Sequence, residues 1–335
     1  MIDNMILEDI EKIKSNIKSE FFADKKVLVT GGAGFIGSWL CDVLVGIGAE
    51  VLAVDDLSTG RMKNIDHLVK NSKFKLIKSD ICKYNSKEKI DIIFHMAGHA
   101  SPDEYMIHPI ETLQTSALGT KNMAEIARKN DAALLFASTS EVYGDAEIVP
   151  TPESYWGKVN PIGPRSCYDE GKRFAEALLM AYSKQHGLNV RIPRIFNSYG
   201  PRLREDGLYG RAMSRFIKQA IADDPITVYG DGKQTRSFCY ITDTVTGLML
   251  LTTSNKAKGQ VVNIGNTLEV TILELAKKIK KTTHCKSAIV FHPLPKDDPK
   301  RRCPNLDKLY EITSWKPSVT FDEGLNKTIA WFLKK

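Results

Sequence analysis

The chain has 335 residues, 42% hydrophobic and 26% charged, with a formal net charge of +7 at pH 7. That length carries a sizeable core, as one large domain or two ordinary ones. The basic residues are scattered rather than blocked and no nucleic-acid module is present, so no nucleic-acid partner is expected. No apolar run reaches the ~20 residues of a membrane span, so no membrane role is expected. The six cysteines form no C-x-x-C pair. This argues against a disulfide framework or a clustered metal site, and it points to a reducing, cytoplasmic compartment.

Residues 1–22 begin without a basic region leading into an apolar one, so no signal peptide is expected. Instead Leu7, Ile10, Ile13 and Ile17 recur at helical spacing, which predicts an amphipathic helix packed on the body of the protein. Then Lys26–Thr30 (KVLVT) reads as a buried strand, followed by GGAGFIG and a helix to about Ile47. Further strands are expected over Glu50–Asp56, Lys75–Asp80, Asp91–Ala97, Ala133–Ser140 and Asn189–Asn197. Helical patterns lie between most of them, notably Leu113–Lys129 and Tyr168–His186. Strand and helix in alternation predict an α/β fold, a doubly wound parallel sheet covered on both faces. After Gly200, turn-rich pieces at 229–238 and 292–305 separate shorter elements, which predicts a smaller second domain.

Gly31, Gly34 and Gly37 stand between a strand and a helix. There a tight turn, a close approach to pyrophosphate and close helix–strand packing each require a residue without Cβ. The helix start adds a positive dipole end. Asp55 ends the next strand, at about the twenty-residue spacing where a carboxylate binds ribose hydroxyls. Such a carboxylate repels a 2′-phosphate, so NAD is expected rather than NADP.

Tyr168 and Lys172 are four residues apart in a helical stretch and so share a face. An adjacent ammonium favours phenolate and lowers a tyrosine pKa from its usual value of about 10. A general base acts best with a pKa near the working pH. Together with the glycine loop and STSE at a strand end, the pair predicts removal of a hydroxyl proton while NAD oxidises the same carbon. Phe35, Ile36 and Leu40 read as core, and His95 and His99 lack any metal-ligand pattern. Cys167 is expected to point about 100° away from Tyr168.

From about residue 25 onward the chain resembles the extended short-chain dehydrogenase/reductases, the NAD-dependent epimerase/dehydratase family. More narrowly it resembles UDP-glucuronate decarboxylases. The glycine loop and Tyr-Lys pair carry the broad likeness; YWGKVNPIGPRSCYDEGKR and DDPKRRCPN carry the narrow one. The resemblance implies a Rossmann-type domain and a smaller α/β substrate domain. The division is then 1–22 for the amphipathic helix, 23–199 with 237–256 for NAD binding, and 200–236 with 257–335 for the sugar nucleotide. It implies Tyr168 as base, Lys172 as its partner and ribose ligand, and Thr139 and Ser140 near sugar O4. Glu141 and Arg302 match the acid and arginine of the decarboxylation step. Gly31, Gly34, Phe35, Ile36, Gly37, Asp55, Asp80, Ile81 and Ala97 would line the cofactor. Tyr105, Asn197, Arg202, Tyr229, Arg236 and Arg302 would bind substrate, Asn197 and Arg236 at the diphosphate. A homodimer joined through 113–129 and 168–186 is implied as well.

The chain departs from the family pattern at AGHASPDEY (Ala97–Tyr105), where Gly98, His99 and Asp103 replace residues expected at the sugar pocket, and at Asp56. A 4-epimerase, 4-oxidase or 4,6-dehydratase acting on another nucleotide hexose or heptose is therefore the rival reading. Thr139 is followed by Ser140 and Glu141 rather than by an Asp-Glu pair, which argues against the dehydratase.

Overall fold

The apolar runs of the sequence become strands of one parallel sheet. The computed structural model describes residues 2–204, 212–295 and 298–334; the parts of the expected substrate domain at 205–211 and 296–297 lie outside the described residues. In chain order the strands are β1 (Lys26–Thr30), β2 (Glu50–Asp55), β3 (Phe74–Lys78), β4 (Ile92–His95), β5 (Ala133–Phe136), β6 (Ser138–Thr139) and β7 (Val190–Ile195). They continue with β8 (Ser198–Tyr199), β9 (Ile226–Tyr229), β10 (Thr235–Ser237), β11 (Cys239–Tyr240), β12 (Gln260–Ile264), β13 (Glu269–Thr271) and β14 (Ile289–His292). The large sheet runs β3-β2-β1-β4-β5-β7-β12, with β6 beside β7. All its pairs are parallel.

The order turns back between β1 and β4, and ligands bind at the carboxyl ends of strands at such a switch point. Gly31 follows β1 there with φ +66°, and a Cβ on it would lie 2.9 Å from Ala97 Cα, just beyond β4.

The helices are α1 (Asn4–Ser15), α2 (Phe35–Gly46), α3 (Pro102–Ile107), α4 (Pro109–Gln114), α5 (Thr120–Asn130) and α6 (Ser166–His186). Then come α7 (Ala212–Ile221), α8 (Ile241–Thr253), α9 (Ile272–Thr283), α10 (Asp307–Thr313) and α11 (Phe321–Leu333). Alternation along β1 sends Val27 and Val29 into one apolar layer with Trp39 and Leu248, and Leu28 into the opposite layer with Met123 and Leu179. Burial on both faces explains why the strands read as continuous apolar runs.

Three differences from the sequence reading have physical causes. The buried stripe of α1 is Ile6, Ile10 and Ile13, while Leu7 is 43% exposed. The helix stops at Ser15, before Ile17. Asp9, also on the buried side, accepts hydrogen bonds from the Tyr240 hydroxyl and Lys327 Nζ, both at 2.6 Å, tying α1 to β11 and α11. The helix expected over 113–129 is broken by a π-turn at Thr115–Gly119 between α4 and α5. A Cβ on Gly119 would come 2.5 Å from Ile81 Cδ1, and one on Gly171 would come 3.1 Å from Ser116, so close packing on both sides accompanies the irregular turn. Finally β12, in a stretch assigned by sequence to the substrate domain, pairs with β7 at the edge of the large sheet.

Candidate active site

The large cleft opens at the carboxyl edge of β1, β4, β5 and β7 and has a volume of about 740 Å³. Every site residue named from the sequence lines it. On one side is the glycine turn. A Cβ on Gly37 would sit 2.1 Å from the Gly31 carbonyl oxygen and would break this turn, while one on Gly34 would sit a tight 3.1 Å from the same oxygen. No side chain caps the start of α2, which faces the cleft with Phe35 and Ile36. These two residues are partly buried cleft-lining groups, whereas Leu40 is fully buried core. Asp55 is buried, and its carboxylate accepts from the Ala33 N–H at 2.9 Å and the Leu57 N–H at 2.8 Å. Burial pushes its carboxyl up, against those two bonds. Asp55 therefore braces the glycine turn while lining the cleft. Asp80, Ile81 and Ala97 continue this wall, with Asp80 accepting from the Cys82 N–H at 2.9 Å. A cradle that Cβ atoms would fill, a helix N-terminus and a carboxylate fit a dinucleotide.

Thr139, at the end of β6, accepts from the Glu141 N–H at 3.2 Å and so caps a short helical turn from Ser140 to Tyr143. The turn holds the Ser140 and Glu141 side chains in the cleft wall. Behind it Ser138 donates to Glu176 at 2.5 Å, and Glu176 also receives Arg194 at 2.9 and 2.6 Å, fixing β6 to α6 and β7.

Tyr168 and Lys172 lie in the first turns of α6 and are 7% and 5% exposed. Lys172 Nζ donates to the Ala137 carbonyl at 2.8 Å, 5.9 Å from the Tyr168 ring centroid and 4.6 Å from that of Phe136. Burial lowers the Lys172 pKa to about 8, with Glu176 pulling the other way. A Cβ on Gly98 would lie 3.6 Å from Nζ, so this departure from the family pattern borders the lysine itself. Tyr105 stacks on Tyr168 with centroids 5.0 Å apart and planes at 8°. Cys167 donates to the Tyr105 carbonyl at 3.2 Å, and burial raises its thiol pKa, so it is an inert neighbour. His95 is bonded to Thr30 and Thr120, and burial lowers its pKa to about 3: a neutral core histidine. His99 lines the cleft and hydrogen-bonds Thr112 at 3.1 Å.

Residues 300–302 run beside β10: the Thr235 N–H donates to the Lys300 carbonyl and the Ser237 N–H to the Arg302 carbonyl, both at 3.0 Å. Alternation along this extended piece splits the basic run. Arg301 faces solvent and pairs with Glu269 at 2.6 Å, while Arg302 is 8% exposed and faces inward. There it grips Glu141 through both nitrogens, Nη1–Oε1 and Nη2–Oε2 each 2.6 Å. Arg165 takes the same Oε2 from the other side. Burial works to raise the Glu141 pKa, but Arg302 and then Arg165 outweigh it and hold it down at about 2. Asp169 is pushed up to about 7 by burial and by Glu141, against the pull of Arg165 and Arg302.

Asn197 donates to the Ser237 carbonyl at 3.1 Å, and Arg236 pairs with Asp298 at 3.0 Å. Tyr229 lies 4.7 Å under the Arg215 guanidinium. Arg202 borders the cleft, and its guanidinium also pairs with Asp42 at 2.6 Å and lies 5.2 Å from the Trp39 ring centre. An arginine so engaged is a buried structural ion pair before it is a substrate ligand. Arg165, Arg215, Gln234 and Asp298 also line the cleft and were not singled out from the sequence. Only Arg165 carried a signal, its place one helical turn before Tyr168.

Residues 27–265 match the NAD dependent epimerase/dehydratase family. The chain is 49% identical to UDP-glucuronic acid decarboxylase 1 of Danio rerio over 311 residues, covering 93% of this chain and 73% of that relative. It is 47% identical to UDP-glucuronic acid decarboxylase 1 of Arabidopsis thaliana, covering 92% of this chain and 69% of the relative. Among solved structures it is similar to the UDP-glucuronic acid 4-epimerase of Bacillus cereus in complex with UDP-glucuronic acid and NAD. There the TM-score is 0.83 and the identity 29%, over 92% of this chain and 99% of that one. The UDP-glucose 4-epimerase of Thermotoga maritima gives a TM-score of 0.84 at 29% identity, with the same coverage. A matched segment that includes the glycine turn, the serine-threonine strand end and the Tyr-Lys helix, with relatives nearly half identical over nine-tenths of the chain, settles the kinship: the chain belongs to the NAD dependent epimerase/dehydratase family.

Proposed function

We propose that this protein decarboxylates UDP-glucuronate to UDP-xylose. The observation that carries the reading is the Glu141–Arg302 fork, set in the cleft wall beside Thr139, Ser140, Tyr168 and Lys172. The decarboxylase relatives support the choice of substrate. The glycine turn, Asp55 and Lys172 would hold NAD, which when bound would supply reversible oxidation at sugar C4. Tyr168 takes the C4 hydroxyl proton and later returns it, and Thr139 and Ser140 donate toward O4. Oxidation turns the glucuronate into a β-keto acid. The C5–C6 bond then breaks, CO₂ leaves, and the electron pair spreads over C5 and O4 as an enolate. Hydroxyl donors already aimed at O4 stabilise that growing charge. Arg302 orients the departing carboxylate, and Glu141 guides the water whose proton goes to C5. Asn197, Tyr229 and Arg236 hold the nucleotide diphosphate portion.

Incubation with UDP-glucuronate, followed by mass spectrometry, is expected to show loss of CO₂ and formation of UDP-xylose. A product of unchanged mass identified as UDP-galacturonate would replace this reading with 4-epimerisation, and untouched substrate in the presence of NAD would move the proposal to another nucleotide sugar.

The protein is further proposed to act as a cytoplasmic homodimer. Among the described residues no helix is long and apolar enough to cross a membrane. All six cysteines are free, in keeping with a reducing compartment. Ile110 and Leu113 on α4, Leu118 in the π-turn and Phe174 on α6 are 65%, 43%, 53% and 51% exposed. Two such faces together would form a four-helix bundle with an apolar seam. Sedimentation is expected to give a dimer for the wild type and a monomer for the double variant Ile110→Glu/Phe174→Glu.

A further inference from the structure

Glu141 receives two guanidinium groups, and they are held in different ways. Arg302 projects from an extended segment, and its buried Nε has no hydrogen-bond partner among the described residues. Arg165 stands at the start of α6, where its own carbonyl accepts the N–H groups of Tyr168 and Asp169, both at 3.0 Å. Its guanidinium lies 6.0 Å from the Tyr105 ring centre, with Asp169 at 3.9 Å from Nε and Asp298 at 4.0 Å from Nη1. The side chain is 15% exposed. One residue thus joins the turn that carries Tyr168 to the carboxylate of Glu141.

This matters at one point of the proposed reaction, on which the inference rests. A substrate carboxylate entering the cleft competes with Glu141 for a cation. Arg302 can turn toward it from its extended segment and thereby satisfy its open Nε. Arg165 is braced by Asp169, Asp298 and Tyr105 and stays. We propose that Arg165 is the positioning residue of this site, keeping Glu141 aimed into the cleft when Arg302 turns to the substrate's carboxylate. Decarboxylation then balances as R–COO⁻ + H⁺ → R–H + CO₂. The C5–C6 bond breaks, and the proton that forms C5–H comes from a water oriented by Glu141 and is drawn from solvent. Without Arg165, Glu141 follows Arg302 or swings free, and the water loses its fixed approach to C5.

The test uses the full chain with UDP-glucuronate and NAD in D₂O, comparing wild type with Arg165→Gln and Arg165→Lys. Arg165→Gln is expected to lower kcat on the order of 10²-fold, the scale of a reacting group displaced by about 1 Å. KM should stay near the wild-type value. One deuterium per product molecule is expected at C5, in a single one of the two hydrogen positions for wild type and scrambled between the two positions across the product for Arg165→Gln. Arg165→Lys, which keeps the cation, should recover part of the rate and of the selectivity. A raised KM with unchanged kcat would make Arg165 a substrate ligand and overturn the proposal, as would unchanged C5 selectivity. The role can also be read without turnover. In protein with ¹³C-labelled glutamate carboxyls, Glu141 is expected to titrate at higher pH in Arg165→Gln than in wild type. An unmoved titration overturns the positioning role. A wild type that leaves UDP-glucuronate intact overturns the activity reading alone.

Discussion

Tyr168→Phe is expected to lower turnover by about 10²–10⁴-fold, the usual contribution of a positioned general base. The phenylalanine ring fills the same space between Tyr105 and Lys172, because the ring contacts at 5.0 and 5.9 Å do not involve the hydroxyl. Fold and cofactor content should therefore be unchanged, and the loss should fall on kcat. Measuring NAD released on denaturation alongside the rate separates the two effects. A variant with full activity and full NAD content would remove Tyr168 from the chemistry. It would also leave the Tyr-Lys spacing as a packing feature, with Lys172 serving only to tie α6 to the Ala137 carbonyl.

The second large effect belongs to Glu141→Gln. Its carboxylate balances Arg302 at 2.6 Å on each oxygen and Arg165 at one of them, in a setting where all three side chains are at most 15% exposed. Breaking a buried ion pair from one side leaves uncompensated charge and costs about 3–5 kcal/mol. Chemical denaturation at neutral pH is expected to show a loss of that order. The sign with pH follows from the depressed carboxyl. Folded Glu141 titrates at about 2 against an ordinary value of 4.5. Its stabilisation is thus fully present above pH 4.5 and is lost as pH falls through 2. The gap between wild type and Glu141→Gln should accordingly close over that window. At neutral pH the two arginines, no longer neutralised by a carboxylate at position 141, attract the substrate's carboxylate at least as strongly, so KM is expected to fall or hold while kcat drops. A variant as stable as wild type at neutral pH would show that the two guanidiniums do not depend on this carboxylate.

Local signals carried much of this protein. Runs such as KVLVT and EVLAVDD announced strands buried on both faces, because β-branched and apolar residues without polar alternation suit a sheet covered on both sides. The glycine turn was legible because its three positions forbid Cβ for separate reasons, and the Tyr-Lys pair because four residues is one helical turn. The sequence by itself thus determined the parallel sheet, the cofactor type and the pair at the head of α6.

What it did not carry depends on segments far apart in the chain. Arg302 was marked only by the family resemblance, its local setting being a basic run; pairing of residues 300–302 beside β10 turns it inward and sends Arg301 out. Arg202 lines the cleft as expected, but its pairing with Asp42, on α2, is visible only in the fold. The inner face of α1 was misjudged at Leu7 because only contact with Tyr240 and Lys327 shows which side Asp9 turns inward. β12 joined the large sheet through β7, a pairing across the intervening smaller elements that no local pattern encodes. Arg165 was not singled out, since its meaning lies in sharing Glu141 with Arg302, 161 residues beyond Glu141. The physical reason is common to all of these. Backbone periodicity and steric demand act over a few residues and leave a local trace. The pairing of a buried charge is decided by whichever opposite charge the fold brings within about 4 Å, and only the tertiary structure makes that choice.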